Sequence, residues 1–209
     1  MRKGEITVLA ILLLSFSAGV YFYPQMPDVM ASHWNAQGGG SSYMSKFWGV
    51  FLMPLLCAGL FVFFILIPRI DPLKGNIEKF RNYYDRFVVL IILFLFYVYL
   101  LAIFWNKGAR FDMALVMVPA LGALFYFCGV LIENSKRNWF IGIRTPWTLT
   151  GDAVWDRTNK LGGKLFRVAA VIAITVLLFP KHALLFVVVP VIFVAVFTFV
   201  YSYFEYQKA

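Results

Sequence analysis

The groups able to do chemistry in this 209-residue chain are few: two histidines, two cysteines and ten carboxylates. His33 stands in the run His33-Trp34-Asn35, which offers an imidazole, an indole and a carboxamide within three residues, followed by the flexible Gly38-Gly39-Gly40. Such a set can grip an arriving peptide, or it can pin a loop onto the ends of neighbouring helices. A zinc site needs three or four protein ligands, and His182 is the other histidine, so no metal is expected. A hydrolase needs a nucleophile beside a base, and none is paired by spacing here. The carboxylates fall at the ends of apolar runs or between them, which leaves a proton-coupled pump without the intramembrane acid such relays require. These residues point neither to an enzyme nor to a cofactor.

The elements that must carry them are membrane helices. With 62% hydrophobic residues and a mean hydropathy of +0.79, the chain has too little polar surface to face water. Apolar runs at about 6–23, 48–68, 87–105, 113–132, 165–179 and 183–203 approach the roughly 20 residues that cross ~30 Å of hydrocarbon. The expectation is an all-α polytopic integral membrane protein with six transmembrane helices. The fifth run is short, about 15 residues or roughly 22 Å, and needs Arg167 to snorkel or the bilayer to thin. Arg2 and Lys3 before the first run resemble the start of a secretory signal. The run continues through Tyr21-Phe22-Tyr23, however, which suits a retained anchor with an interfacial tyrosine pair. Cys57 and Cys128 fall at different depths, so a disulfide between them is not expected, and both read as small apolar packers.

Orientation follows from the basic residues. With both termini in the cytoplasm, fifteen of the nineteen Lys and Arg lie inside, and Lys46, Lys107, Arg110 and Lys181 lie outside. That bias matches the positive-inside rule. It also accounts for the net charge of +9 through topology and attraction to anionic lipid, so nucleic acid is not an expected partner. The inner connector 69–86 mixes Asp71, Glu78 and Asp85 with five basic residues and reads as a solvated linker. Pro54, Pro119 and Pro190 each sit about seven residues inside the outer end of a span, roughly 10 Å deep. Three kinks at one level can open a vestibule to the outside, or they are ordinary membrane-helix prolines whose freed groups are satisfied locally.

Asn138 to Gly163 packs three of the six tryptophans into a polar interval between apolar runs. Pro146 biases Thr145 toward an extended backbone, so Gly142-Ile-Arg144-Thr145-Pro146-Trp147-Thr148-Leu149 is expected as a loop. Thr150 or Asp152 then caps a short helix ending at Gly162-Gly163, with Val154, Thr158 and Leu161 on one face, Trp155 beside it, and Asp156, Arg157 and Lys160 turned away. Arg144 can pair with a lipid phosphate, with Glu133 or with a partner's carboxylate, or stack on Trp147 or Trp139. Equally, Arg and Trp can simply anchor the loop at the interface.

Asn138, the Gly142 to Leu149 string, Trp155, Thr158-Asn159 and Gly162-Gly163 resemble the signature of the SdpI family of bacterial immunity proteins. Pro27-Asp28, His33-Trp34-Asn35, Gly38 and Ser45-Lys46 are similar to the amino-terminal module that often precedes that signature. The chain departs from the pattern at Gly39-Gly40-Ser41-Ser42, where an acidic or Pro-Asp element is expected. The division expected is an amino-terminal two-helix module with its outer loop (1–70), a central helix pair with the inner connector (71–132), and the signature loop with a carboxy-terminal helix hairpin (133–209). The resemblance implies a multi-pass protein of the cell membrane that protects the producer from a secreted peptide toxin. It further implies, for some members, sequestration of a cytoplasmic repressor when toxin is present. The signature residues Asn138, Gly142, Arg144, Thr145, Pro146, Trp147, Thr148, Trp155, Asn159 and Gly163 then serve a partner or the loop's own structure. His33, Trp34, Asn35, Gly38 and Lys46 are the outer candidates for ligand contact. A small transporter or lipid-handling protein using the proline-kinked helices is the alternative.

Overall fold

A computed structural model describes residues 1–35, 39–175 and 183–208. The chain folds as α1 (Lys3–Phe22), a 3-10 turn (Tyr23–Gln25), strands β1 (Val29–Trp34) and β2 (Gly40–Ser45), then α2 (Lys46–Ile70), the short α3 (Lys74–Lys79), α4 (Arg81–Asn106), α5 (Met113–Asn134), α6 (Asp152–Thr175) and α7 (Ala183–Gln207). Among the described residues five helices are long and apolar enough to cross a bilayer: those at Lys3–Gln25, Lys46–Ile70, Arg81–Asn106, Leu115–Asn134 and Leu185–Gln207. Large apolar side chains such as Leu13, Val62, Phe193 and Phe204 stand exposed on them, as the lipid-facing surface of a membrane helix requires. Local signals fix several starts. The Glu5 carboxylate accepts the Arg2 N–H at 3.0 Å before α1, Asp112 accepts the Leu115 N–H at 3.3 Å at the head of α5, and Arg81 opens α4 by pairing with Asp85 at 2.7 Å. Each places a carboxylate or an ion pair in a first turn, where the helix dipole and unpaired N–H groups favour it.

Three expectations need correction. The stretch between the first two helices is not a plain loop but an antiparallel hairpin, with Val29 opposite Ser45, Met30 opposite Met44 and Ala31 opposite Tyr43, and bulges on either side of His33. Its alternation is short and interrupted, which hides it from a periodicity reading. The helix after the signature loop does not stop at Gly162-Gly163. It runs on to Thr175 and takes in residues 165–175 of the fifth apolar run, because here the glycines serve helix packing instead of chain reversal. Third, neither Thr150 nor Asp152 caps that helix: the Thr150 hydroxyl donates to the Trp147 carbonyl at 2.7 Å and Asp152 pairs with Arg137 at 2.7 Å. Pro180-Lys181-His182 lies outside the described residues.

The chain forms two compact units. One comprises Met1–Phe64 and Val88–Met117, the other Ile65–Phe87 and Val118–Ala209. In the first, Met26, Met30, Val50, Tyr99 and Ile103 form the core, with Phe22, Phe51, Phe96 and Leu100 packed around it. In the second, α6 buries Val154, Trp155, Thr158, Asn159, Gly162, Gly163, Ala169, Ala170 and Ala173. The repeat of three and four residues along that list is one helical face, and the small residues let neighbouring backbones approach.

Candidate functional site

The signature loop of the second unit is organised by buried carboxamides and hydroxyls. Asn138 is fully buried: its Oδ1 accepts the N–H groups of Phe140 at 2.9 Å and Ile141 at 2.6 Å, and its Nδ2 donates to the carbonyls of Lys136 at 2.7 Å and Ile141 at 2.8 Å. One side chain thus satisfies four backbone groups of a segment that has no secondary structure to pair them. Gly142 follows at a φ of +115°, a conformation that side chains resist. A Cβ there would lie 2.7 Å from Asn159 Oδ1 and 2.8 Å from the Trp155 ring. Asn159 accepts the Ile143 N–H at 2.7 Å and donates to the Trp155 carbonyl at 3.1 Å. Trp155, completely buried, donates its Nε1–H to the Ser135 carbonyl at 3.1 Å.

Thr145 and Thr148 bond reciprocally around Pro146-Trp147. The Thr145 N–H donates to Thr148 Oγ1 at 2.8 Å and the Thr148 N–H to Thr145 Oγ1 at 3.1 Å, while the Thr148 hydroxyl reaches the Ile143 carbonyl at 3.0 Å. Thr145 Oγ1 also lies 2.9 Å from Ser202 Oγ on α7. The turn pushes Trp147 edge-on against Phe199 and Tyr203, at 5.0 and 5.2 Å between ring centres. Gly163 completes the arrangement by close approach: its missing Cβ would stand 2.5 Å from the Gly129 carbonyl oxygen. Next to that contact Glu133 pairs with Arg167 at 2.5 Å, so Glu133 is taken and does not meet Arg144. Arg144, exposed, instead donates to the Trp139 carbonyl.

Several residues of this network carry no local signal. Asp71, read from sequence as part of a solvated linker, is 2% exposed. Its carboxylate accepts the Leu73 N–H at 2.6 Å and the Trp139 N–H at 2.8 Å, and Asn76 reinforces the same contact by donating to the Arg137 carbonyl at 2.8 Å. Ser202, Ser135 and Glu205 join from elsewhere in the chain. Glu205 is buried between Arg157 and Lys208, each at 2.9 Å. Arg144, Pro146, Trp139, Lys160 and Lys164 are among the exposed residues on this side, together with the ion-paired Lys136, Asp152, Asp156 and Arg157. Beside them Thr150, Gly151, Asp152, Ala153, Val154, Tyr206 and Gln207 line an open hollow of about 460 Å³.

The hairpin of the first unit holds the other candidates, and it does not bring them together. His33 is exposed with its Nδ1 3.2 Å from Ser32 Oγ. Trp34, the next residue, packs edge-on against Trp105 at 5.7 Å. Asn35 accepts the Gly39 N–H at 2.9 Å, and Gly38 lies outside the described residues. Lys46 sits 5.0 Å from the Tyr23 ring centre. The same end carries Lys107 over Phe22 at 4.9 Å and Arg110 over Trp105 at 4.1 Å, which makes it a cationic and aromatic surface of the kind that settles at a membrane interface.

Long apolar helices joined by short polar segments, with their charges gathered at the helix ends, define a multi-pass protein of the cell membrane. The resemblance read from the sequence is borne out: residues 134–202 match the SdpI/YfhL protein family, spanning the signature loop, α6 and most of α7. Residues 10–58 match a domain of unknown function, DUF1648, which covers most of α1, the hairpin and the first half of α2. The chain is 23% identical over 209 residues to the "Immunity protein SdpI" of Bacillus subtilis (strain 168), covering 100% of this chain and 98% of that protein. No solved structure matches significantly.

Proposed function

We propose that this chain is a membrane immunity protein that protects the cell producing it from a secreted toxic peptide. The likeness to the Bacillus subtilis immunity protein carries the reading, because at 23% identity it runs from end to end of both chains and includes both the hairpin segment and the signature loop. The fifteen-to-four distribution of basic residues supports an orientation with both termini in the cytoplasm. In that orientation the hairpin with His33 and Lys46 faces outward, where a secreted peptide arrives. The signature loop, with Arg144 and Trp139 accessible on it, faces a cytoplasmic partner such as a repressor protein.

The experiment is expression in a sensitive host followed by challenge with candidate membrane-active peptides. Survival above that of the empty vector, lost when the protein is depleted, is the expected result; equal survival against every peptide refutes immunity. Signalling is a separate limb. His33→Ala with Asn35→Ala should lose protection, whereas Arg144→Ala with Trp139→Ala should keep protection and lose the response of a repressor-controlled reporter. Coupling between two sites requires that they be separable in this way. If both pairs abolish protection equally at matched membrane levels, the two-face arrangement fails.

A further inference from the structure

The two edges of the hairpin are treated differently. The outer edge of β1 is closed at Ala31, whose N–H and carbonyl bond to the side chain of Asn106 at 2.8 and 3.0 Å. The outer edge of β2 has no such cover. In an antiparallel pair the backbone groups of successive residues alternate between the partner strand and the free edge. The Lys46 N–H donates to the Asp28 carbonyl at 2.9 Å, so Lys46 and Met44 face β1, while Tyr43 turns its N–H and carbonyl, and Ser45 its N–H, away from it; the Ser45 carbonyl heads α2. The Ala31–Tyr43 pairing agrees, since Ala31 likewise points outward, to Asn106. Among the described residues no hydrogen bond reaches the Tyr43 backbone or the Ser45 N–H from that side.

This edge also lacks the usual protection. Gly40-Ser41-Ser42-Tyr43-Met44-Ser45 contains no charge and no proline, the devices that ordinarily keep a strand edge from pairing. Tyr43 is 60% exposed, and Phe47 and Trp48, just beyond the strand on α2, are 49% and 50% exposed. Backbone groups ready to pair, with aromatic surface at the end of the row, are what strand addition uses: the main chain supplies affinity and alternate side chains supply selectivity.

We propose that the free edge of β2 at Tyr43 and Ser45 is a docking site for an extended peptide segment with apolar or aromatic side chains, which joins the hairpin as a third strand. The proposal rests on the immunity reading for the source of that peptide and on the edge alone for the manner of binding.

The test uses the full-length protein in lipid nanodiscs and two end-blocked octapeptides of alternating Val and Thr. In one, N-methyl groups on every second residue leave a single pairing edge; in the other, every amide is methylated. The single-edge peptide should bind and the fully methylated one should bind at least tenfold more weakly. Ser45→Pro removes an outward N–H that the hairpin does not use, a placement edge strands tolerate. It should weaken the single-edge peptide at least tenfold while far-UV circular dichroism and elution volume stay unchanged. Equal binding of both peptides, no binding of either, or a Ser45→Pro variant that binds like wild type overturns the proposal, as does a wild-type dimer that Ser45→Pro dissociates, which would assign the edge to a second copy. Failure of the immunity reading shows elsewhere: wild type then gives no survival in the challenge assay, whatever the octapeptides do. If wild type and Ser45→Pro protect equally, immunity stands and the strand edge falls.

Discussion

The carboxamide of Asn106 holds both backbone groups of Ala31, its Oδ1 2.8 Å from the amide nitrogen and its Nδ2 3.0 Å from the carbonyl oxygen, across 75 residues of sequence. A side-chain amide has the same donor and acceptor as a peptide unit, so the end of α4 serves β1 as one residue of an added strand. Asn106→Leu should leave both Ala31 groups unpaired at a partly buried site, at a cost of about 1–3 kcal/mol. Thermal unfolding in detergent should show a lower midpoint, and hydrogen exchange should show faster loss of protection at the Ala31 amide than in the helices.

Gly163→Ala is expected to force α5 and α6 apart. The new Cβ would lie 2.5 Å from the Gly129 carbonyl oxygen and 2.8 Å from the Glu133 nitrogen, and backbone atoms cannot swing aside as a side-chain end can. Overpacking of this kind costs about 1–3 kcal/mol, and the Glu133–Arg167 pair should loosen with it. Gly75→Ala in α3 is the control: nothing lies within 4 Å of its would-be Cβ, so it should be neutral or gain a few tenths of a kcal/mol from reduced chain entropy. Unfolding midpoints of the two variants in the same detergent decide the matter.

Arg144→Ala and Trp155→Ala should part company, though both belong to the signature. Arg144 is exposed and gives up one bond to a carbonyl, a loss within about 0.5 kcal/mol for a surface group. Trp155 is fully buried, and truncating a buried tryptophan costs about 3–5 kcal/mol. Membrane abundance and melting midpoint should therefore stay near wild type for Arg144→Ala and fall for Trp155→Ala. Equal losses would mean that Arg144 is as structural as Trp155.

Single cysteines at Ser42 and Lys160, both exposed positions, should report the orientation in a background with Cys57 and Cys128 replaced by alanine. An impermeant thiol reagent added to intact cells should label Ser42→Cys and spare Lys160→Cys, with both labelled after lysis. The reverse pattern inverts the topology, and equal labelling before lysis shows that the two positions share a side.

Composition by itself determined the class of this protein, because runs such as 48–68 and 183–203 have no stable place except a bilayer, and a helix is the backbone form that satisfies its own polar groups there. The loop at Gly142 to Leu149 was equally legible, since Pro146 and Gly142 act on the backbone within a residue or two of themselves. The signature residues were legible as a string, but not the work each does. That Asn138 folds the loop, that Asn159 ties Ile143 to Trp155, and that Thr145 meets Ser202 depends on which distant groups face each carboxamide or hydroxyl once the helices are packed. Asp71 shows the limit most clearly: among basic residues it reads as solvated, and only the tertiary structure sets the Trp139 N–H 2.8 Å from its carboxylate. Gly162-Gly163 is the complementary case, because a glycine pair can end a helix or let two helices touch. The sequence encodes the absence of a Cβ, and only the packing of Gly129 against Gly163 decides what that absence is for.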